Sequence, residues 1–326
     1  MINEASKQYR FSVVVPTYNE EDNIKSLLDS ILDADYPATE IEVIIADGMS
    51  DDRTREIVDE YAHQYTGVEL HDNQNRRTPD GINVGFKASS GEIVVLVGGH
   101  STLPADFFRR VDQAFERAPD AGVVGGVMEP SPSTYFETAV SKALVSPLGA
   151  SSSRFSEDEG YVETVNYGAY RQSVINEVGP MDTSLPRAQD YEYNRRVRDK
   201  GIKIYQYPKI RVAYEPRSTP KSLMMQYFGN GYWKAQVFRK RRDYLMSSSL
   251  SGGIVVGTVS IVTLFAPLLL LGLIYLGLAT WTISRVSDRV NSAASRHIPG
   301  AVVALFLMHV SYICGFLWGL LSTPAE

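Results

Sequence analysis

His100 carries the most versatile chemistry of any side chain in its stretch. It follows Glu92-Ile93-Val94-Val95-Leu96-Val97-Gly98-Gly99, an apolar and mostly β-branched run opening into a glycine pair, and it precedes Ser101-Thr102-Leu103-Pro104. An imidazole in that place can hold a metal ion or move a proton near neutral pH, and it can equally be a satisfied turn histidine. The run reads as a strand buried on both faces that ends where the backbone turns sharply. Ligands of open parallel sheets collect outside the carboxyl ends of the strands, so the first polar group after this strand is a natural place for chemistry. Pro104 suits the first position of a following helix.

The elements needed to hold such a site fill the first half of the chain. Residues 11–16 read as a first buried strand, followed by Thr17-Tyr18-Asn19 and the acidic helix start Glu20-Glu21-Asp22. Ile24, Leu27, Leu28, Ile31 and Leu32 recur at helical spacing, which predicts an amphipathic helix packed on the sheet. Residues 41–46 form a second strand with the loop Asp47-Gly48-Met49-Ser50-Asp51-Asp52, where Asp51 or Asp52 caps the next helix. A third strand over 68–70 leads through Asn75-Arg76-Arg77-Thr78-Pro79 into a helix over 81–88. The strand before His100 is the fourth in this alternation, which predicts an α/β fold with a parallel, helix-covered sheet.

Later elements are more mixed. A helix over 104–117 leads to a fifth strand over 121–127, and residues 131–160 read as a helix followed by a mobile loop over the site. Residues 190–200 make a half-exposed helix, and 203–207 with 212–214 make two short strands. There is no internal repeat.

Composition narrows the class. A chain of 326 residues, 44% of them hydrophobic, can bury a full core. A net charge of −6 argues against nucleic acid as a partner, and one cysteine, Cys314, excludes an internal disulfide framework. Met1 to Arg10 is polar, without the apolar core of a signal peptide, so the first domain is expected to stay in the cytoplasm. From Tyr244 to Ser284 no residue is charged, and from Ile298 to Leu321 only His309 can titrate. Both runs exceed the roughly 20 residues that span a bilayer. The first, 41 residues long and interrupted by Gly252-Gly253 and Pro267, reads as a hairpin of two spans; the second is one span. Arg239-Lys240-Arg241-Arg242 before the first and Arg285, Arg289 and Arg296 before the last both fall on the cytoplasmic side if the hairpin crosses twice. The expected organisation is a cytoplasmic domain over 1–218, an aromatic, basic, amphipathic interfacial helix over 219–243, and a membrane domain of about three transmembrane helices over 244–326.

The order of these motifs resembles inverting family 2 glycosyltransferases. The resemblance rests on Val13-Val14-Val15-Pro16-Thr17-Tyr18-Asn19-Glu20-Glu21, on Asp47-Gly48-Met49-Ser50-Asp51-Asp52-Arg53-Thr54 and on Asn75-Arg76-Arg77-Thr78-Pro79-Asp80-Gly81-Ile82-Asn83. It continues through Gln189-Asp190-Tyr191-Glu192-Tyr193-Asn194-Arg195-Arg196, Gln226-Tyr227-Phe228-Gly229-Asn230-Gly231-Tyr232-Trp233 and His309-Val310-Ser311-Tyr312. Together these look like the succinoglycan-type exopolysaccharide branch and cover nearly the whole chain. The resemblance implies a single nucleotide-sugar-binding, GT-A-like domain with a mostly parallel central sheet, followed by transmembrane helices.

What the resemblance implies for individual residues is compatible with their chemistry. Pro16, Tyr18, Glu20, Asp47, Arg77, Gly81, Gly98 and Gly99 fall on nucleotide-sugar-binding positions. Tyr18 would stack on a uracil, Asp47 would accept a hydrogen bond from base or ribose, and Glu20 would orient the ribose. Arg76 and Arg77, ahead of a helix start, would meet the diphosphate, although two loop arginines can simply be solvated. Asp190 corresponds to the catalytic base, taking the acceptor's proton as its oxygen attacks the anomeric carbon from the face opposite the leaving nucleotide. It is also a good helix N-cap, and a cap can still be a base. The usual preceding glutamate is Gln189, which removes a like charge. Gln189, Glu192, Gln226 and Trp233 fall on acceptor or interface positions. Gly229 stands where processive relatives carry arginine, and an interfacial anchor at Tyr232 and Trp233 explains that segment as well as acceptor contact does. His100 occupies the metal-contacting place, with Gly98 where the first aspartate of the family motif would be. A lone imidazole suits Mn²⁺ better than Mg²⁺, and the donor phosphates would complete the shell. His309 inside a span is expected to pack against another helix.

The expected activity is transfer of a sugar, UDP-hexose being the expected donor, to a lipid-linked saccharide in cell-surface glycan or exopolysaccharide synthesis. The expected location is the cell membrane, multi-pass, with the catalytic domain on the cytoplasmic side. The alternatives are a polyprenyl-phosphate sugar synthase and a non-catalytic nucleotide-sugar-binding relative.

Overall fold

The computed structural model describes residues 9–149, 152–240, 269–286 and 295–322. In chain order the strands are β1 (Phe11–Thr17), β2 (Ile41–Asp47), β3 (Val68–Asp72), β4 (Ile93–Leu96), β5 (Ala121–Pro130), β6 (Gly160–Tyr161), β7 (Asn166–Arg171) and β8 (Lys203–Tyr214). The helices are α1 (Ile24–Leu32), α2 (Thr54–Gln64), α3 (Thr78–Ala88), α4 (Phe107–Arg117), α5 (Tyr135–Val145), α6 (Ser152–Phe155), α7 (Gln172–Val178), α8 (Gln189–Asp199), α9 (Pro220–Lys240), α10 (Leu269–Val286) and α11 (Ile298–Leu321). The helix after His100 starts at Phe107 and not at Pro104, because Pro104 instead closes a turn in which its carbonyl accepts the Phe107 N–H at 3.0 Å.

The chain forms two compact units, Met1–Met128 with Glu157–Ala213 and Glu129–Ser156 with Tyr214–Glu326. The strands line up in the order β3-β2-β1-β4-β7-β5-β8-β6. The four βα strands are parallel, as the alternation of strands and helices predicts. The sheet is nonetheless mixed and not mostly parallel, because β7 runs antiparallel to both β4 and β5. Buried runs report burial and not direction, and direction here is decided by the return of the chain after α6. Residues 203–214 form one strand across Pro208. The Ile204 carbonyl accepts from Val162, so even-numbered residues of β8 turn their backbone toward β6, and Pro208 falls past the end of that short partner.

Side chains alternate across the sheet as pleating requires. Phe11, Val13, Val15, Val43, Ile45, Ile93 and Val95 pack with α1, α2 and α4, where Phe107 and Phe108 are fully buried. Burial of each such phenylalanine contributes roughly 2–3 kcal/mol. Val14, Ile44 and Val94 face the other way, onto α3, α7 and α8. At the amino end of the sheet the buried Glu42 carboxylate accepts from the Ser12 hydroxyl, the Ser90 N–H (2.7 Å) and hydroxyl (3.0 Å) and the Gly91 N–H (3.2 Å), tying β1, β2 and the approach to β4 together.

The second unit is helical. The Thr134 hydroxyl and Glu137 carboxylate form a reciprocal capping box at the start of α5. Helices α9 and α11 cross closely: a Cβ at Gly231 would lie 1.9 Å from the Tyr312 carbonyl, and one at Gly315 would lie 2.0 Å from that of Phe228. Only glycine permits that approach. His309 bonds to the Tyr275 hydroxyl of α10 at 3.1 Å and to the Leu148 carbonyl at 2.8 Å, which is the packing role expected of it. Among the described residues one helix, Ile298–Leu321, is long and apolar enough to cross a membrane, with mean hydropathy 2.0. Of the expected hairpin, residues 244–268 lie outside the described residues, and the remainder is α10.

Candidate active site

The carboxyl edge of β1, β2 and β4 carries the residues singled out from the sequence. Asp47 ends β2 with its side chain fully buried. One of its oxygens accepts from the Ser50 and Thr17 hydroxyls (3.3 Å for Thr17), and the other from the Ser50 N–H (2.9 Å) and the Arg55 guanidinium (2.9 Å). Arg55 reaches on to Asp72 at the end of β3, 2.8 Å away, and the Asp47 contact is the main reason its pKa is raised. Gly48 follows; a Cβ there would lie 3.2 Å from the Tyr18 ring, so the half-exposed tyrosine lies against the turn. The Arg76 guanidinium stands 5.5 Å from the centroid of the same ring. Gly81, in the first turn of α3, fits against Pro16, where a Cβ would come within 3.1 Å of the proline Cβ.

After β4, Gly99 lies against Thr17 and Glu20, and the His100 Nδ1 is 3.5 Å from Glu20 Oε1. His100 is 74% exposed. At Gly98 a Cβ would meet nothing closer than the His100 ring at 3.3 Å. The donor set for a divalent ion is therefore one imidazole nitrogen and one carboxylate oxygen; no group of three His, Cys, Asp or Glu side chains suited to a metal occurs among the described residues. That pair fits an ion that draws its remaining ligands from a bound diphosphate.

The third component is the segment leading into α8. Met181 is held at both backbone groups by Asn83 of α3, whose Oδ1 accepts from N–H at 2.7 Å and whose Nδ2 donates to C=O at 3.0 Å. Arg77, the N-cap residue of α3, donates to the Thr183 carbonyl at 3.4 Å. Gln189 and Asp190 begin α8, preceded by Ala188 in the left-handed region at φ 60°. Asp190 accepts from the Tyr191 N–H at 2.8 Å. Its charge adds to the burial that raises the Tyr170 pKa, while the Tyr170 hydroxyl donates to Asn194 at 2.9 Å. Glu192 is turned inward to Arg196 at 2.9 Å, and Arg196 also donates to the carbonyls of Val178 (3.0 Å) and Pro180 (2.8 Å).

Strain gathers here too. Asn19, Met49, Arg76 and Tyr167 have positive φ, and all four flank the carboxyl edge of the parallel strands, Tyr167 lying on β7 past the end of β4; among the described residues the other such non-glycine residue is Ala188. Each costs of order 1–3 kcal/mol, and residues so held cluster where a ligand is gripped.

The structure thus brings Pro16, Tyr18, Glu20, Asp47, Gly48, Gly81, Gly98, Gly99 and His100 to one sheet edge and ties Arg77 to the approach to Asp190. Gln226 and Trp233 belong to the second unit, where Gln226 accepts from Arg217 (3.3 Å) and donates to the Tyr214 hydroxyl (3.4 Å), and Trp233 packs edge-on against Tyr232. Sequence reasoning missed Arg55, Asp72 and Asn83. A charge facing two strand ends and an amide clamping a distant backbone leave no periodic signal; the one available hint was Asn83 closing the quoted Arg77 motif.

Residues 12–179 match the model of the family described as Glycosyl transferase family 2. The chain is 30% identical over 238 residues, 70% of this chain and 74% of the relative, to a dolichyl N-acetyl-alpha-D-glucosaminyl phosphate 3-beta-D-2,3-diacetamido-2,3-dideoxy-beta-D-glucuronosyltransferase of Methanococcus voltae. It is 27% identical over 312 residues, 93% of each chain, to the succinoglycan biosynthesis protein ExoA of Rhizobium meliloti. Among solved structures it resembles a mannosyltransferase of Pyrobaculum calidifontis in complex with GDP-Man and Mn²⁺, with TM-score 0.62, 18% identity, and 97% and 88% of the two chains covered, which shows a shared fold.

Proposed function

The chain belongs to glycosyl transferase family 2 and is a glycosyltransferase, and from that premise we propose an inverting transfer of a hexose from UDP-hexose to a lipid-linked saccharide. The observation that supports this most is the double tie between the donor side and the base: Arg77 and Asn83, on one helix, hold the segment that delivers Asp190. Tyr18 offers its face to the base, and Arg76 and Arg77 with the start of α3 face the diphosphate. Asp190 takes the proton of the acceptor hydroxyl; that oxygen forms the new bond to the anomeric carbon as the bond to the diphosphate breaks, and the electron pair leaves with the nucleotide. Two residues, His100 and Glu20, would hold Mn²⁺, which would supply positive charge to offset that of the leaving diphosphate.

The acceptor reading draws on the Methanococcus relative, whose name specifies a dolichyl phosphate-linked acceptor, and on the ExoA relative's role in succinoglycan synthesis. A membrane-held acceptor also gives a reason for α11 and for the apolar surface of α10, where Leu273, Leu278 and Trp281 are more than half exposed. On this reading α9 lies at the cytoplasmic interface, with Gln226 and Trp233 toward the acceptor, and the catalytic unit faces the cytoplasm. The test is transfer by membranes carrying the full chain, with a panel of labelled UDP- and GDP-sugars, with Mn²⁺, Mg²⁺ or chelator, onto lipid-linked saccharide and polyprenyl phosphate. Product on the lipid-linked saccharide from a UDP-sugar supports the reading; product on polyprenyl phosphate alone makes the protein a polyprenyl-phosphate sugar synthase; absence of transfer from every donor overturns it.

A further inference from the structure

We propose that Asn194 is a positioning residue for Asp190: by bonding the buried side of α8 to Tyr170 of β7 and to Thr164, it sets the rotation of the helix and so the direction in which Asp190 leaves its first turn. The inference rests on the reading of Asp190 as the base and names what aims it.

Residues 190 and 194 are four apart in α8 and so share one face, a turn from each other. Val197 is the helix's single aliphatic residue, with the Tyr191 and Tyr193 rings buried beside it. Hydrogen bonds are angular, so a bonded amide fixes a rotation that loose apolar packing leaves open. Asn194 is buried, its Oδ1 accepting from the Tyr170 hydroxyl at 2.9 Å and its Nδ2 donating to the Thr164 hydroxyl at 2.9 Å. Arg196 ties α8 to the segment before it, at the Val178 and Pro180 carbonyls, whereas Asn194 ties it to the sheet. The anchor is firm, because β7 is flanked by β4 and β5 and pairs with both. A Cβ at residue 168 would lie 2.7 Å from the Tyr170 ring and 2.9 Å from its hydroxyl, so Gly168 lets that ring lie back along β7 toward the carboxyl end of β4. Asp190 is near enough for its charge to add to the burial that raises the Tyr170 pKa. Rolling α8 to turn Asp190 away would strand the buried amide and the phenol without partners, which opposes the motion.

The test compares kcat for transfer by the full chain, UDP affinity by titration and melting temperature across a set of variants, all assayed well below melting. Asn194→Ala is expected to lower kcat about tenfold with UDP affinity within about twofold of wild type, because the donor site is untouched. Tyr170→Phe removes one of the two bonds with little change of volume and is expected to lower kcat severalfold; Thr164→Val should do the same, while Thr164→Ser, which keeps the hydroxyl, should retain wild-type kcat. Glu42→Gln, in the buried cluster at the amino end of the sheet, controls for stability: it is expected to lower the melting temperature and leave kcat unchanged. In an Asp190→Asn background Asn194→Ala is expected to cost nothing further, since residues that act through one another are not additive. Wild-type kcat in Asn194→Ala and Tyr170→Phe, an equal loss in Glu42→Gln, or a full further loss in the Asp190→Asn background overturns the assignment. Each of these leaves the glycosyltransferase reading standing, whereas a wild-type chain that transfers from no donor overturns both.

Discussion

The ends of β2 and β4 lie at the same edge of one sheet, yet they are built in opposite ways. At the β2 end Asp47 is buried and bonded on every side, and Arg55 carries that order on to Asp72. At the β4 end two glycines lead to an exposed histidine whose nearest charged neighbour, Glu20, is 3.5 Å away. The first is finished before any ligand arrives, and its low-dielectric, fully satisfied network makes it rigid. The second has space and few bonded polar groups. Under the proposed function the nucleoside end is the preorganised one and the phosphate end the one assembled on binding.

The largest effect that sharpens this contrast comes from outside both ends. Asp190→Asn is expected to lower transfer by about 10³-fold while nucleotide affinity measured by titration stays near wild type, since neither strand end is touched. Retained turnover would remove Asp190 from the mechanism. Asp47→Ala should lower unfolding free energy by about 2 kcal/mol, read from the denaturant midpoint, because Arg55 and Ser50 lose a buried partner. The matching change at the open end, His100→Ala, should leave that midpoint within about 0.5 kcal/mol, as for an exposed side chain; a large loss there would break the comparison. Asn83→Ala frees the Met181 backbone and should reduce kcat about tenfold with UDP affinity unchanged, a split visible in steady-state and titration data. The most specific change is Gly98→Asp. A Cβ there comes closest to the exposed His100 ring, at 3.3 Å, which is free to turn aside, so the added carboxylate should tighten Mn²⁺ binding roughly tenfold by calorimetry, whereas no gain would mean the ion is held elsewhere.

Much of this was legible from residue order. The runs at Phe11, Ile41, Val68 and Ile93 became parallel strands within a residue or two, because β1, β2 and β4 are buried almost throughout and are therefore largely apolar, while the edge strand β3 buries only Val68. The position of His100 just after a strand, and of Asp190 at a helix start, followed from local punctuation alone. What stayed hidden is equally specific. β7, with tyrosines and glycine in place of aliphatic residues, has no strand-like run, so its antiparallel insertion beside β4 was not visible. Segment 131–160, read as helix and loop, contributes α5 to the second unit, where nearly every side chain of that helix is buried.

The sequence by itself determined the alternating strands and helices, the glycines where side chains cannot fit, and the family to which the chain belongs, since each is written in residue type and spacing along one stretch of chain. Only the tertiary structure decided what each polar group is bonded to. Asp47 reads as an open acceptor in the sequence and is a saturated one in the fold; Asp72, Arg55 and Asn83 give no signal in the sequence and are bonded to the β2 end, to each other or to Met181 in the fold. Hydrogen-bond capacity is local, but whether it is spent depends on partners 8 residues away at Arg55 and 98 away at Met181, and only the packed chain brings those together.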